Sequence, residues 1–212
     1  HALRAAAAFG ADAILLVPAK VGNPGPAPWD FRVKFDSDCL VSEVVEGDNT
    51  PFKEYIDLQN NATIQVRKCL EKLIPVAAYE GITIGVENVW NNLWCTPDFY
   101  AAFVSSFDNR WIKSYFDMGN HVKYAPTEEW IRALRGQITK LHIKDFAVDK
   151  NAPAGGTFVP IGKGDIKWQQ VRDTLEEIGC SSWVTLESDG FTDEEHLQIF
   201  KDFFAGKPFS VQ

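Results

Sequence analysis

Five short apolar runs recur along the chain, separated by stretches that carry helix start and stop signals. The runs are DAILLVPA at 12–19, ITIGVEN at 82–88, SYFDMGN at 114–120, ITKLHIKD at 138–145 and SWVTLESD at 182–189. Near-continuous apolar character over so few residues marks strands of a parallel sheet, buried on both faces by crossover helices. Strand, helix and strand in repetition give right-handed parallel pairing, an α/β class, and either a closed barrel or an open doubly wound sheet. No GxGxxG follows the first run, so a dinucleotide-binding sheet has no local support.

The helices between the runs are readable from their ends. An Ala-rich helix ends at Gly10, and a long helix over about 57–80 contains Pro75, where a kink or break is expected. Thr96-Pro97-Asp98 opens a helix to about Phe107, and Pro126-Thr127-Glu128-Glu129 opens another to about Arg135. A helix after Asp165 stops at Gly179, and Thr192 with Glu195 forms a capping box for the last one. Residues 20–56 show no period and carry Pro24, Pro26 and Pro28, with Pro18 just ahead; they form a long loop or insertion after the first strand.

At 212 residues the chain suits one domain over 1–212. A net charge of −8 argues against a nucleic-acid surface, which needs clustered Lys and Arg, but leaves room for a small anionic substrate. Cys39, Cys69, Cys95 and Cys180 are scattered without a CxxC, which points away from a zinc knuckle, a redox motif or a disulfide framework. No apolar run reaches the ~20 residues that span a bilayer, so no membrane role is expected.

Four of the five runs end on a residue able to bind a metal: Glu87, Asp117, His142 and Glu187. In a parallel barrel the carboxyl ends of the strands open on one mouth, where active sites assemble. Taken singly, each carboxylate suits a helix cap or an ion pair, and His142 suits a hydrogen-bonded core histidine. Their coincidence on successive strands favours one site, because burying three carboxylates with no cation is costly. The oxygen-rich set suits one divalent ion, Mn²⁺ or Mg²⁺ before Co²⁺ or Zn²⁺.

The segments GVENVWNN, YFDMGN, KLHIKDF, PIGKGDIKW and GCSSWVTLES, in this order over about residues 60–190, resemble the sugar-phosphate isomerase/epimerase family of xylose-isomerase-like TIM barrels, ketose 3-epimerases among them. The resemblance implies that Glu87, Asp117, His142 and Glu187 hold one divalent metal, and that Glu87 and Glu187 double as the acid/base pair. It also places Asn120 where the family has a substrate-contacting Asn or His, and matches Lys144 to the Lys of an HxKD pattern. The implied partner is a small sugar or sugar phosphate, isomerised or epimerised at C3 through an enediolate. Trp90 and Trp94 offer an apolar wall for a sugar or, equally, core packing. His121 next to Asn120 either faces the site or is an exposed loop residue, His196 reads as structural or solvated, and Lys163 in the Gly162-Lys163-Gly164-Asp165 turn is at most an anion contact.

A complete barrel of that family has eight strands, and this chain begins just before the fourth. The expected fold is therefore a TIM-type (β/α) barrel lacking its first three βα units, with five parallel strands and two open edges. Open edges invite pairing with another chain, so a homo-oligomer is expected. The chain starts with His, and upstream material is expected to be missing; the location read is cytoplasmic, with an exported form left open. Two other functions stay in view: a non-catalytic truncated barrel that binds metal or a partner chain, and a dehydratase of a polyol ketone.

Overall fold

The structure is a computed structural model that describes residues 1–22, 25–188 and 191–210. In chain order the elements are α1 (Ala2–Ala8), β1 (Ala13–Leu16), β2 (Lys34–Phe35), β3 (Val41–Glu43), α2 (Lys53–Glu80), β4 (Thr83–Glu87), α3 (Pro97–Ser105), β5 (Ile112–Asp117), α4 (Thr127–Ala133), β6 (Ile138–Ile143), β7 (Asp145–Val148), β8 (Gly156–Val159), α5 (Trp168–Glu177), β9 (Trp183–Leu186) and α6 (Asp193–Phe204). Five of the strands make one parallel sheet in the order β1-β4-β5-β6-β9, curled as a half-barrel with helices against it. The segment 20–56 is not bare loop: it holds the antiparallel pair β2–β3 and two short 3₁₀ turns at Pro28–Asp30 and Thr50–Phe52. Pro24 of that segment and Asp189, expected at the end of the last strand, lie outside the described residues.

The two faces of the sheet differ more than the apolar runs predict. Side chains alternate along a strand. One set, Ile84, Val86, Ile112, Phe116, Leu141 and Ile143, is almost wholly buried and packs in the main core. The register places Gly85 beside Lys113, Tyr115 beside Lys140, Lys140 beside Trp183 and Asp117 beside His142 on the other face. Trp183 on this face is 76% exposed, so the expectation of burial on both faces fails there. Curling brings distant strands together on it. Lys140 Nζ of β6 lies 2.7 Å from Asp12 Oδ2 just ahead of β1, although two strands, about 14 Å in a flat sheet, separate them.

The helices obey their signals with three departures. Helix α2 runs unbroken for 28 residues through Pro75, so the expected break is absent. Proline there removes one hydrogen bond and costs about 3 kcal/mol, and the burial of Val66, Leu70 and Ala77 on either side of it holds the helix continuous. Helix α5 begins at Trp168 rather than at Asp165, whose carboxylate instead accepts from the Val148 N–H at 2.7 Å. Thr96 stands as N-cap before Pro97 but makes no side-chain cap bond. The Thr192–Glu195 capping box forms as read, and the four cysteines are free thiols.

The fourth apolar run stops early. Its last residue, Asp145, leaves the sheet and starts the β7–β8 hairpin, in which Phe146 pairs with Phe158. Asp145 is fully buried, and its carboxylate accepts from the N–H groups of Phe146, Gly162 and Gly164 and from Trp168 Nε1. One side chain thereby ties the hairpin, the 160–165 turn and the start of α5. Gly156 fixes the hairpin's register, since a Cβ there would lie 2.1 Å from the Ala147 carbonyl oxygen.

Asp145→Ala is expected to cost on the order of 3 kcal/mol or more in urea unfolding, because four donors lose their acceptor inside the protein. Asp145→Asn, which keeps one acceptor oxygen, is expected to lose less. Equal stability of Asp145→Ala and wild type would show that the hairpin is anchored elsewhere.

Candidate metal centre

Strand order and register dictate where the titratable residues meet. Glu87 ends β4, Asp117 ends β5, His142 lies one residue before the end of β6, and Glu187 follows β9, with its N–H on the Ile143 carbonyl at 2.9 Å. Each is the point at which an apolar strand reaches the same end of the sheet. The structure brings all four together: one potential ligand atom from each lies within 4.8 Å of the others. His142 Nδ1 is 3.3 Å from Glu87 Oε1, 3.2 Å from Glu187 Oε2 and 3.8 Å from Asp117 Oδ2. Lys144 joins them, its Nζ 2.8 Å from Glu187 Oε2 and 3.4 Å from Asp117 Oδ2.

Burial is graded across the cluster. Asp117 is wholly enclosed, Glu87 and His142 nearly so, and the Glu187 side chain is half exposed. Asp117 uses Oδ1 to accept from the N–H groups of Gly119 and Asn120, which ends the strand in a turn and makes 118–120 a loop rather than the strand end the sequence suggests. Its main chain is gripped by Asn88, whose Nδ2 donates to the Asp117 carbonyl and whose Oδ1 accepts from the Asp117 N–H. Gly119 is needed where it stands, since a Cβ would meet the Lys144 carbonyl at 2.8 Å.

Among the described residues, Asp117 Oδ2 and His142 Nδ1 have no hydrogen-bond partner although both are shut off from solvent. Two such atoms facing each other beside two more carboxylates are what a hard divalent cation satisfies. The donor set of three carboxylates and one imidazole therefore fits the ion expected from the sequence.

The electrostatics carry the same message. Desolvation drives the Asp117 carboxyl up to about 7, against the pull of Lys144, the Asn120 N–H and His142. Burial alone would lower the His142 imidazole, yet the carboxylates of Glu87, Asp117 and Glu187 outweigh it and raise the value. For Glu187 burial works upward, and the Lys144 ammonium holds the carboxyl below its ordinary range. Lys144 is itself raised, since Asp117 and Glu187 overcome its desolvation.

A cleft of about 430 Å³ opens beside the cluster, lined among the described residues by Lys144, Glu187, Ser188, Phe158, Val159 and Pro160. Trp90 is not on this lining. It lies behind Phe158, with ring centroids 4.9 Å apart and planes at 27°, and its Nε1 donates to the Asn120 carbonyl. Asn120 is buried in the turn after Asp117. Trp94 is in the core, stacked on Phe103 at 3.8 Å with Nε1 donating to Thr63. His121 is buried against Tyr124 and Trp130, and burial pushes its imidazole down to about 3, so it is no exposed loop residue. His196 packs near Phe191 on α6, and Lys163 lines a different cleft with Arg172 and Lys207. Asn88, Asp145 and Phe158 were not singled out by the sequence; the first two reveal themselves only through tertiary hydrogen bonds.

The family model described as "Xylose isomerase-like TIM barrel" matches residues 1–202. The uncharacterized protein MJ1311 of Methanocaldococcus jannaschii is 27% identical over 150 residues, which cover 65% of this chain and 50% of that protein. A solved D-tagatose 3-epimerase-like protein superposes with a TM-score of 0.68 at 19% identity, over 96% of this chain and 66% of its own. A xylose isomerase-like TIM barrel protein from Mycobacterium smegmatis, solved in complex with magnesium, superposes with a TM-score of 0.60 at 20% identity, over 97% of this chain and 65% of its own. The chain thus spans half the length of the curated relative and just under two thirds of these structures, whose likeness to it is one of fold.

Ion binding here requires a neutral His142 and an ionised Asp117. Both values are raised, so both groups hold protons near and below neutrality, and a bound ion must displace them. Titration calorimetry with Mg²⁺ or Mn²⁺ is expected to show affinity rising between about pH 6 and pH 8, by up to about tenfold per pH unit for each proton displaced. Without the ion, the raised Asp117 value makes ionisation unfavourable to the fold, so stability falls as pH rises through about 7. An affinity flat across this range would show that the ion does not use these two groups.

Proposed function

Because the chain belongs to the xylose isomerase-like TIM barrel family, we propose that it is a divalent-metal-dependent isomerase or 3-epimerase of a ketose or ketose phosphate. The observation that carries this is the convergence of Glu87, Asp117, His142 and Glu187, with Asp117 Oδ2 buried among them and without a hydrogen bond. These four residues would hold one ion, Mn²⁺ or Mg²⁺ by their chemistry, and the magnesium complex of a protein of similar fold supports that class. When bound, such an ion lowers the cost of negative charge on neighbouring carbonyl and hydroxyl oxygens of a ketose.

The chain's own residues supply the proton transfer. Glu87 and Glu187 come from strands separated by two others in the sheet, yet both carboxylates approach the His142 imidazole, to 3.3 and 3.2 Å. Two carboxylates flanking a bound ketose would suit the removal of a proton from a carbon α to a carbonyl and its return to the other face, which is epimerisation. Return to the adjacent carbon is isomerisation. Glu187, held ionised by Lys144 and open to the cleft, suits the proton acceptor; Glu87, deeper and nearly dry, suits its counterpart. Asp117 and His142 anchor the site. Lys144 faces the cleft with donors for a substrate oxygen, Asn120 stands at the turn beside Asp117, and Trp90 supports the wall from behind. The D-tagatose 3-epimerase-like neighbour supports a sugar as the substrate class.

Solvent exchange tests this. The metal-supplemented chain in D₂O is expected to incorporate deuterium at C3 of a ketohexose. Glu87→Gln and Glu187→Gln should each slow that exchange about 10²–10⁴-fold, the usual contribution of a general acid or base. Exchange that is undiminished in both variants would remove the two glutamates from the chemistry, and a metal-loaded wild type with no exchange on any ketose would leave a metal-binding half-barrel without this activity.

A further inference from the structure

Away from the acidic cluster, a second cleft of about 330 Å³ gathers three cations and, among the described residues, no acid. Lys163, Arg172 and Lys207 line it, with Gln169, Trp168 and Phe209. The chain has a formal charge of −8, so this concentration of positive charge runs against its composition. The cations come from three places: the turn after β8, helix α5 and the turn after α6. The first turn is rigid, because Lys163 stands between Gly162 and Gly164, whose N–H groups both bond to Asp145 Oδ2. Phe209 closes against Gly162, where a Cβ would meet its ring at 3.1 Å, and packs edge-on against Trp168 at 5.3 Å.

Arg172 lacks what a partly buried guanidinium needs. Its Nη2 donates to Gln169 Oε1 at 2.7 Å, and Gln169 is held in turn through Nε2 by Asp173 Oδ1. Nε and Nη1 are shut off from solvent and have no hydrogen-bond partner among the described residues. Burial outweighs the influence of Asp173 and lowers the guanidinium below its ordinary range. Asp202, the acid that feels Lys207, spends its carboxylate on Ser210 and Gln198. Among the described residues none of the three cations has a carboxylate within ion-pair distance. A partly buried charge without a counter-charge is costly, and an anion in the cleft offsets that cost.

We infer that this cleft is a second binding site, for a small phosphate-bearing molecule. It stands apart from the metal centre: Val159 and Pro160 line the first cleft, Ile161, Gly162 and Lys163 the second, and no described residue lines both. The inference therefore does not rest on the sugar reading. Lys163 and Lys207, both exposed, supply the direct donors, and Arg172 supplies an uncompensated charge in the wall. A dianionic phosphate matches three cations better than a single carboxylate does, and its several oxygens can accept from ammonium groups on two different turns at once. The volume lies at the lower end of small-molecule sites, roughly 300–1,000 Å³, and Pro208 and Phe209 offer an apolar strip to the attached carbons. The ligand class is thus a phosphate monoester of a small molecule.

The experiment follows backbone amide and indole NMR signals of the chain, without added divalent metal, during titration with inorganic phosphate and with glycerol 3-phosphate. Saturable shifts are expected at Gly162, Lys163, Gly164 and the Trp168 indole, with a Kd on the order of 1 mM for phosphate and tighter for the ester. Lys163→Gln and Lys207→Gln should each weaken binding about three- to tenfold, and the double variant more, with urea unfolding unchanged at these exposed positions. Arg172→Lys, which keeps a charge, should weaken it less than Arg172→Gln; should the latter fail to fold, the lysine variants still decide. Shifts that do not saturate, or that sodium chloride reproduces at equal ionic strength, would overturn the site as general screening of a basic surface. Saturable shifts centred on Lys144 and Ser188 would put the phosphate in the first cleft and overturn it as well. So would undiminished binding in the lysine double variant. Binding of phosphate with exclusion of glycerol 3-phosphate would overturn the monoester class. Each of these results leaves the metal-dependent reading as it stands, because the two clefts share no described lining residue.

Discussion

A single buried carboxylate, Asp117, organises this end of the molecule, and its two oxygens do different things. Oδ1 is spent on the fold: it takes the Gly119 and Asn120 N–H groups and turns the chain out of β5. Oδ2 has no hydrogen bond and lies in the interior next to Glu87, His142 and Glu187, with the Lys144 ammonium 3.4 Å away. A buried carboxyl oxygen without a hydrogen bond is a costly arrangement, so it persists only if the surroundings enforce it. Asn88 enforces it by gripping the Asp117 backbone on both its N–H and its carbonyl. From the same turn, the Asn120 carbonyl fixes Trp90, and Trp90 backs Phe158. The acidic cluster at the mouth of the cleft and its aromatic wall are thus set by one chain of contacts that starts at Asp117.

The sheet divides stability and chemistry between its faces. One face is covered by helices and buries aliphatic side chains nearly to completion, at roughly 1.5–3 kcal/mol for each large residue. The other gathers Tyr115, Lys140, His142 and, at the strand ends, the acidic cluster. The unfavourable electrostatics of the second face are borne by the packing of the first. This is the usual position of a functional site on a stable scaffold, where the groups that cost stability are the ones that do the chemistry.

Much of this was legible in the sequence, because parallel strands translate linear order into spatial order. Once five apolar runs are read as adjacent strands, the residues that end them must meet, and Glu87, Asp117, His142 and Glu187 do. The legibility failed where tertiary contacts decide. The stretch from Asp145 to Pro160 has only two four-residue strands around a Pro- and Gly-containing turn, too short a pattern to separate from loop. From sequence alone it is strand end and connection, and the apolar wall falls instead to Trp90 and Trp94. Asn88 and Asp145 sit next to conspicuous motif residues and look like more of the same; their work is done through backbone groups far along the chain. Pro75 misled in the opposite sense, since local propensity forbids what packing on both sides of it permits.

Lys144 makes sense once charge is counted over the whole cluster. Three carboxylates, a neutral imidazole, one divalent ion and one ammonium group sum to neutrality, so the loaded site holds no net charge in its low-dielectric surroundings. Without the ion, burial displaces Asp117 toward its protonated form, and the neighbouring carboxylates do the same to His142 against its own desolvation. Lys144 is therefore more than a donor facing the cleft. It is the fixed charge that offsets part of the repulsion among the three acids. Its contact with Glu187, the most exposed of the three, also holds that carboxyl below its ordinary range at the edge of the cleft.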